Sequence, residues 1–195
     1  MTGPSLCRFR IRLLAILFLT GCSNTLPLHY VATGQPSAAP ATVSALDVVD
    51  QRGEPGPTWY GAIRGGYGNP LKTLHSDKPM NVTVRDAFEA ALSARGIRLD
   101  PDAKGPSVSV TVADFAADRL VRSEVKIRLH VVVASSTGRQ VYQHETLGDP
   151  VELAGLAEGI LADPKDLQAM TQATMVRVID EAVDAPVFQA AIRQQ

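Results

Sequence analysis

The sequence predicts an α+β fold, with a largely antiparallel sheet and two main helices packed on one of its faces. Three observations point there. Apolar and polar residues alternate with period two in several segments, one amphipathic helical stripe interrupts them, and a second stripe closes the chain. The predicted order is strand, hairpin, helix, three strands, helix.

The first strand is a mostly apolar run over residues 43–49, ended by Asp50-Gln51-Arg52-Gly53. A long Gly- and Pro-rich segment reaches Pro70. Within it, residues 59–64 and 71–74 read as short strands on either side of a Gly65-Gly66-Tyr67-Gly68-Asn69 turn. Val84, Ala87, Phe88, Ala91 and Leu92 recur at helical spacing. Thr83 is placed to cap the start of that helix and Gly96 to end it.

Val108, Val110 and Val112 alternate with Ser and Thr over 107–112. Over 124–133, Val125, Ile127, Leu129, Val131 and Val133 face inward, while Lys126, Arg128 and His130 face out. The Ser136-Thr137-Gly138 turn leads into a last strand over 140–147. A three-residue loop with left-handed Gly138 sets Val133 against Val141, and a two-residue loop sets it against Tyr142; the former is preferred. These choices bury opposite faces of the last strand. The closing helix opens with Asp163 as cap and Pro164 at its first position. Leu167, Met170, Thr174, Met175, Val178, Ile179, Ala182 and Val183 form its apolar stripe, and Pro186 ends it. Residues 150–161, with two glycines and four large aliphatics, read as a short helix or an anchored loop.

The amino terminus carries an address. Arg8, Arg10 and Arg12 precede seven apolar residues, 13–19, and then small residues before Cys22. This describes a secretory signal, far short of the ~20 residues that a spanning helix needs. Leu19-Thr20-Gly21-Cys22 resembles the lipobox of bacterial lipoproteins. The resemblance implies cleavage before Cys22, thioether lipidation of that residue, and acylation (palmitate) of the new amino terminus. Two or more acyl chains anchor stably where one does not. Ser23, rather than Asp, after the lipidated residue implies the outer membrane with the domain facing the periplasm, rather than retention in the inner membrane. Cys7 would leave with the signal, so no disulfide is expected.

From Cys22 to Leu46 there is no charged residue, and Pro27, Pro36 and Pro40 fall within the stretch. Such composition reads as a flexible spacer with a reach of roughly 25 Å. Leu26, Leu28 and Tyr30 are left either against the bilayer or on the domain. The expected organisation is a signal peptide over 1–21, a lipidated Cys and spacer over 22–42, and a single domain over 43–195. Without the three signal arginines the chain holds 16 basic and 20 acidic residues, a net charge of about −4 with His neutral. Nothing in that balance supports nucleic-acid binding, which would want a basic stripe.

No catalytic, metal or cofactor site is expected. Gly65-Gly66-Tyr67-Gly68 lacks the Gly-Lys-Ser/Thr of a phosphate loop, and there is no Gly-x-Ser-x-Gly elbow. His29, His75, His130 and His144 are scattered rather than clustered. Asp180, Glu181 and Asp184, with Arg177 one turn before, read as a solvated helix face. Trp59, Tyr60 and Tyr67 place three of the mature chain's eight aromatics within nine residues of Gly/Pro-rich sequence. They form the candidate contact loop.

Val49-Asp50-Gln51-Arg52 at the end of the first strand, Arg95-Gly96-Ile97 after the helix, the Val-alternating strand and the lipobox together resemble the YajG-type bacterial lipoproteins. The Gly-rich stretch over 53–70 is more elaborate than that pattern. The resemblance implies a fold and a location, and it supplies no catalytic residues. The expected function is a membrane-anchored lipoprotein with a non-enzymatic binding or structural role in the cell envelope. Its partners are the membrane, through lipid on Cys22, and an envelope protein. The alternative is an auxiliary lipoprotein of a lipid-transport system, which needs an apolar groove between helix and sheet.

Overall fold

The computed structural model describes residues 22–33, 40–53, 56–153 and 163–193; the predicted signal peptide over 1–21 lies outside them. In chain order the elements are β1 (Cys22–Thr25), β2 (Ala41–Val43), β3 (Ala45–Asp50), β4 (Trp59–Arg64), β5 (Pro70–His75), α1 (Met80–Ala94) and β6 (Ile97–Leu99). There follow β7 (Ser107–Arg119), β8 (Arg122–Ala134), β9 (Gln140–Gly148), β10 (Val151–Leu153), α2 (Pro164–Asp184) and α3 (Pro186–Ala191).

The long hairpin of β7 and β8 is the spine of an eight-stranded sheet. Each outer edge of that spine carries two strands end to end. Along β7, β3 pairs with residues 107–112 and β4 with residues 117–119, both parallel. Along β8, β9 and β10 pair antiparallel. Beyond β4 come antiparallel β5 and then β1, parallel to β5. β2 and β6 form a separate parallel pair. The α+β class is as predicted, but the sheet is mixed rather than largely antiparallel. The reason is the connection: α1 lies between β3 and β7, and a crossover of that length lets β7 return parallel to β3.

The core lies between the sheet and the helices. Val108, Val110, Val112, Val125, Ile127, Leu129, Val131 and Val133 are buried against Phe88, Leu92, Met175, Val178 and Ile179. α1 buries the predicted stripe but begins earlier, at Met80, with Pro79 in the capping position. Thr83 therefore does not cap it; the Thr83 hydroxyl donates to the Pro79 carbonyl at 3.3 Å from inside the first turn. Gly96 takes the predicted left-handed conformation, with φ +74°. α2 begins as predicted, the Asp163 carboxylate accepting from the Lys165 amide at 2.9 Å. It ends at Asp184, and Pro186 then starts α3, which returns Phe188 to the core. A Cβ on Gly148 would lie 2.5 Å from Thr174 Cγ2 and 2.6 Å from Val178 Cγ2. The missing side chain is what lets α2 settle on β9.

The β8–β9 turn has the preferred loop and the other register. Gly138 is left-handed at φ +80° and donates to the Ser135 carbonyl at 2.8 Å. An irregularity after it sets Val133 opposite Tyr142, so that Tyr142 joins the core. Of residues 150–161, 151–153 form β10, and the remainder lies outside the described residues.

The largest departure is at the amino terminus. The flexible spacer expected over 22–42 is replaced, over 22–33, by an arm built onto the domain, and β2 begins at Ala41. Freedom from charge, which suggested a linker, is equally a condition for burial.

Candidate functional site

The arm is held from both sides. Cys22, Ser23, Asn24 and Thr25 pair with Lys72, Thr73, Leu74 and His75. The Leu26 amide then donates to the His75 carbonyl at 2.8 Å, and the Tyr60 hydroxyl donates to the Leu26 carbonyl at 3.2 Å. Burial raises the Tyr60 pKa far above its ordinary value, so that hydroxyl stays a neutral donor. Leu28 is buried in the core. Gln168 Nε2 donates to the Pro27 carbonyl at 2.6 Å, and the His29 amide donates to Gln172 Oε1 at 3.1 Å. The arm thus runs along α2 toward its carboxyl end, and the choice left open for Leu28 resolves onto the domain.

There it meets Arg95, whose side chain is 2% exposed. Its Nε and Nη2 form a two-pronged bond to Asp184 at 2.5 and 2.6 Å, and Nη2 also reaches Asp180 at 2.9 Å. Nη1 donates to the Ala91 carbonyl at 3.0 Å and to the Tyr30 hydroxyl at 3.2 Å. Tyr30 and Thr33 in turn donate to the Asp180 carboxylate. Hydrogen bonding to Asp184 first, then to Tyr30 and Asp180, outweighs burial and raises the Arg95 pKa. Of the face read from sequence as solvated, Glu181 and Asp184 are exposed and Asp180 is largely covered, and both aspartates are counter-charges of a buried cation. Every partner is satisfied within the cluster, so its chemistry is that of a clamp joining the arm, α1 and α2.

A second buried arginine spans the gap between β3 and β4. Arg52, also 2% exposed, bonds both Asp50 oxygens at 2.8 Å. Its Nη1 donates to the carbonyls of Trp59 at 2.8 Å and Phe115 at 3.2 Å. The chain leaves the sheet after Asp50 and rejoins it at Trp59, and the guanidinium supplies donors that no strand provides there. Burial would raise the Asp50 pKa, but the hydrogen bonds from Arg52 prevail and hold it below the ordinary 3.8.

The three aromatics expected on one contact loop are separated. Tyr60 is fully buried and Trp59 is 8% exposed, both on β4 rather than on a loop. Trp59 lines a hollow of about 410 Å³ together with Arg64, Thr73, His75 and Asp118. Only Tyr67 is at the surface, wholly exposed at the tip of the β4–β5 hairpin. Among the described residues no three His, Cys, Asp or Glu side chains come together as metal ligands. No described helix is long and apolar enough to cross a membrane.

No family model matches the chain, and no curated protein matches it in sequence. Solved structures do. Protein XCC0632 from Xanthomonas campestris, of the DUF330 family, matches with a TM-score of 0.61 at 13% identity, over 86% of this chain and 96% of that one. That likeness shows a shared fold. Weaker matches include a protein provisionally described as a lipoprotein from Caulobacter crescentus CB15, with a TM-score of 0.37 at 16% identity, over 57% of this chain and 80% of that one. Another is PelC from Paraburkholderia phytofirmans, a dodecamer, with a TM-score of 0.41 at 12% identity, over 86% and 98%.

Proposed function

We propose that this chain is a membrane-anchored bacterial lipoprotein with a non-enzymatic binding or structural role in the cell envelope. The observation that carries the reading is the coincidence at Cys22. The residue that the lipobox marks for lipidation is also the first residue of β1, paired with Lys72 at the edge of the sheet. Lipid on that residue would hold the sheet itself at the membrane, where a spacer would have let it wander. Ser23 in the following position favours the outer membrane, with the domain facing the periplasm. The likeness to YajG-type lipoproteins rests on short sequence motifs and agrees with this reading. The alternative of a lipid carrier needs an apolar groove between helix and sheet, where Phe88, Leu92, Met175, Val178 and Ile179 join the buried core of β7 and β8.

The test is membrane fractionation with palmitate labelling. The wild-type chain should label and float with outer-membrane vesicles, whereas Cys22→Ala should neither label nor float. A Cys22→Ala chain that still floats with the membrane would refute the anchor. Crosslinking in intact cells should recover an envelope protein partner; recovery of phospholipid alone would favour the carrier.

A further inference from the structure

We infer that the Cys22 end of the sheet is itself a membrane-contact face, in which two hairpin tips enter the lipid headgroup layer beside the anchor. The inference rests on lipidation of Cys22 and goes further by fixing which surface meets the bilayer.

The pairing register places the face. Cys22 lies opposite Lys72, Lys72 opposite Ile63, Ile63 opposite Arg119, and Arg119 opposite Ser123, one continuous row across five strands. The row extends to Glu152 of β10, opposite Ser123, and beyond it the described chain continues as the last residue of β10, Leu153, and as two turns. One is the β4–β5 turn, 65–69, with Tyr67 at its tip; the other is the β7–β8 turn, Leu120-Val121. At ~3.3 Å per extended residue, Tyr67 lies at most about 13 Å and Val121 about 7 Å past the row. Those reaches span a headgroup layer and fall far short of a membrane span.

The composition of the tips suits that layer. Tyr67 is wholly exposed, Val121 48% and Leu120 39%. Tyrosine favours the boundary between water and acyl chains, where its ring is buried and its hydroxyl stays wet. Arg64 and Arg122 flank the tips on long stems suited to reach phosphates. Residues 63–72 and 119–123 contain no acidic side chain. The carboxylates that meet these arginines lie back on the strands: Asp118 at 2.7 Å from Arg64, and Glu124 at 3.1 Å from Arg122. A hollow of about 610 Å³ lies between the tips, lined by Arg64, Leu120, Val121 and Arg122, with Asp118 and Glu124 at its inner side. Among the described residues, the turns at the opposite end of the sheet carry no aromatic or large aliphatic side chain at their tips. The β8–β9 turn there is Ser135-Ser136-Thr137-Gly138-Arg139, and the 100–106 segment carries Asp100, Asp102 and Lys104.

The experiment uses the full chain, lipidated in cells and reconstituted into phosphatidylethanolamine/phosphatidylglycerol vesicles. With Cys22 blocked by lipid, single variants Tyr67→Cys, Val121→Cys and Thr137→Cys each give one thiol for an environment-sensitive fluorophore. Flotation of the vesicles reads the anchor, and quenching by spin-labelled lipid reads the face. The expected result is flotation of all three, with quenching at positions 67 and 121 at least threefold stronger than at 137. Flotation with equal, weak quenching at all three positions would overturn the contact face and leave the anchor standing. Failure to float would overturn the anchor and the face together. Strong protection at 67 and 121 in cells but not in vesicles would assign the tips to a protein and overturn the lipid reading.

Discussion

The side chains of Arg52 and Arg95 are equally buried, and they solve different problems. Arg52 closes a break within one sheet: Asp50, Pro57 and Trp59 are near in sequence, and its distant partner, the Phe115 carbonyl, lies on the neighbouring strand β7 of the same sheet. Arg95 gathers segments that are far apart, meeting Tyr30 across 65 residues and Asp184 across 89. The contrast separates a cation that completes a secondary structure from one that assembles a tertiary structure. Removing the first should damage one edge of the sheet; removing the second should loosen the arm and both helices together.

The largest effect is expected at Arg95. Arg95→Ala strands Asp180 and Asp184 beside one another and should cost about 4 kcal/mol in urea unfolding. Amide exchange over residues 26–30 should rise with it. Arg52→Ala leaves the Trp59 and Phe115 carbonyls without their donor and should cost about 3 kcal/mol, while exchange in the arm stays slow. If both variants loosen the arm equally, the distinction between the two arginines fails. Lysine at either position keeps the charge but loses the planar fork, so Arg52→Lys should still cost about 2 kcal/mol.

Tyr30→Phe deletes one hydroxyl that bonds Asp180 and Arg95. Its expected cost is about 1 kcal/mol, with faster exchange confined to the arm. The smallest effect is an acid-side slope. The Asp50 carboxyl titrates below 3.8 in the folded chain, so its contribution is present at neutral pH and is lost as pH falls through that lowered value. Asp50→Asn should flatten the stability profile below about pH 4, and an unchanged profile would mean that Arg52 does not hold Asp50 as described.

The same contrast explains what could be read in the sequence. Period-two and helical spacing located β7, β8, α1 and α2, because local burial leaves a local pattern. The β4–β5 hairpin followed from its glycines. The clamp around Arg95 left no such trace: Asp180 and Asp184 at helical spacing look the same whether water or a distant guanidinium faces them. The arm was missed for a related reason, since Leu26, Leu28 and Tyr30 alternate as a strand does while the surrounding prolines and missing charges suggested a coil. Parallel pairing of β3 with β7 is a property of the crossover, which no single segment encodes. Of the candidate site, Cys22 and Tyr67 kept their predicted exposure to other molecules only as proposals, while Trp59 and Tyr60 turned inward with the strand that carries them.

The parallel seating of β1 on β5 also sets how the domain bears load. A pull transmitted through Cys22 runs along the strand axis, so the ladder bonds to β5 are strained together in shear instead of opening one after another. Behind them, Leu28 in the core and then the Arg95 clamp at Tyr30 and Thr33 would take up the tension. With lipid on Cys22, a domain fastened in this way would carry traction along its strands.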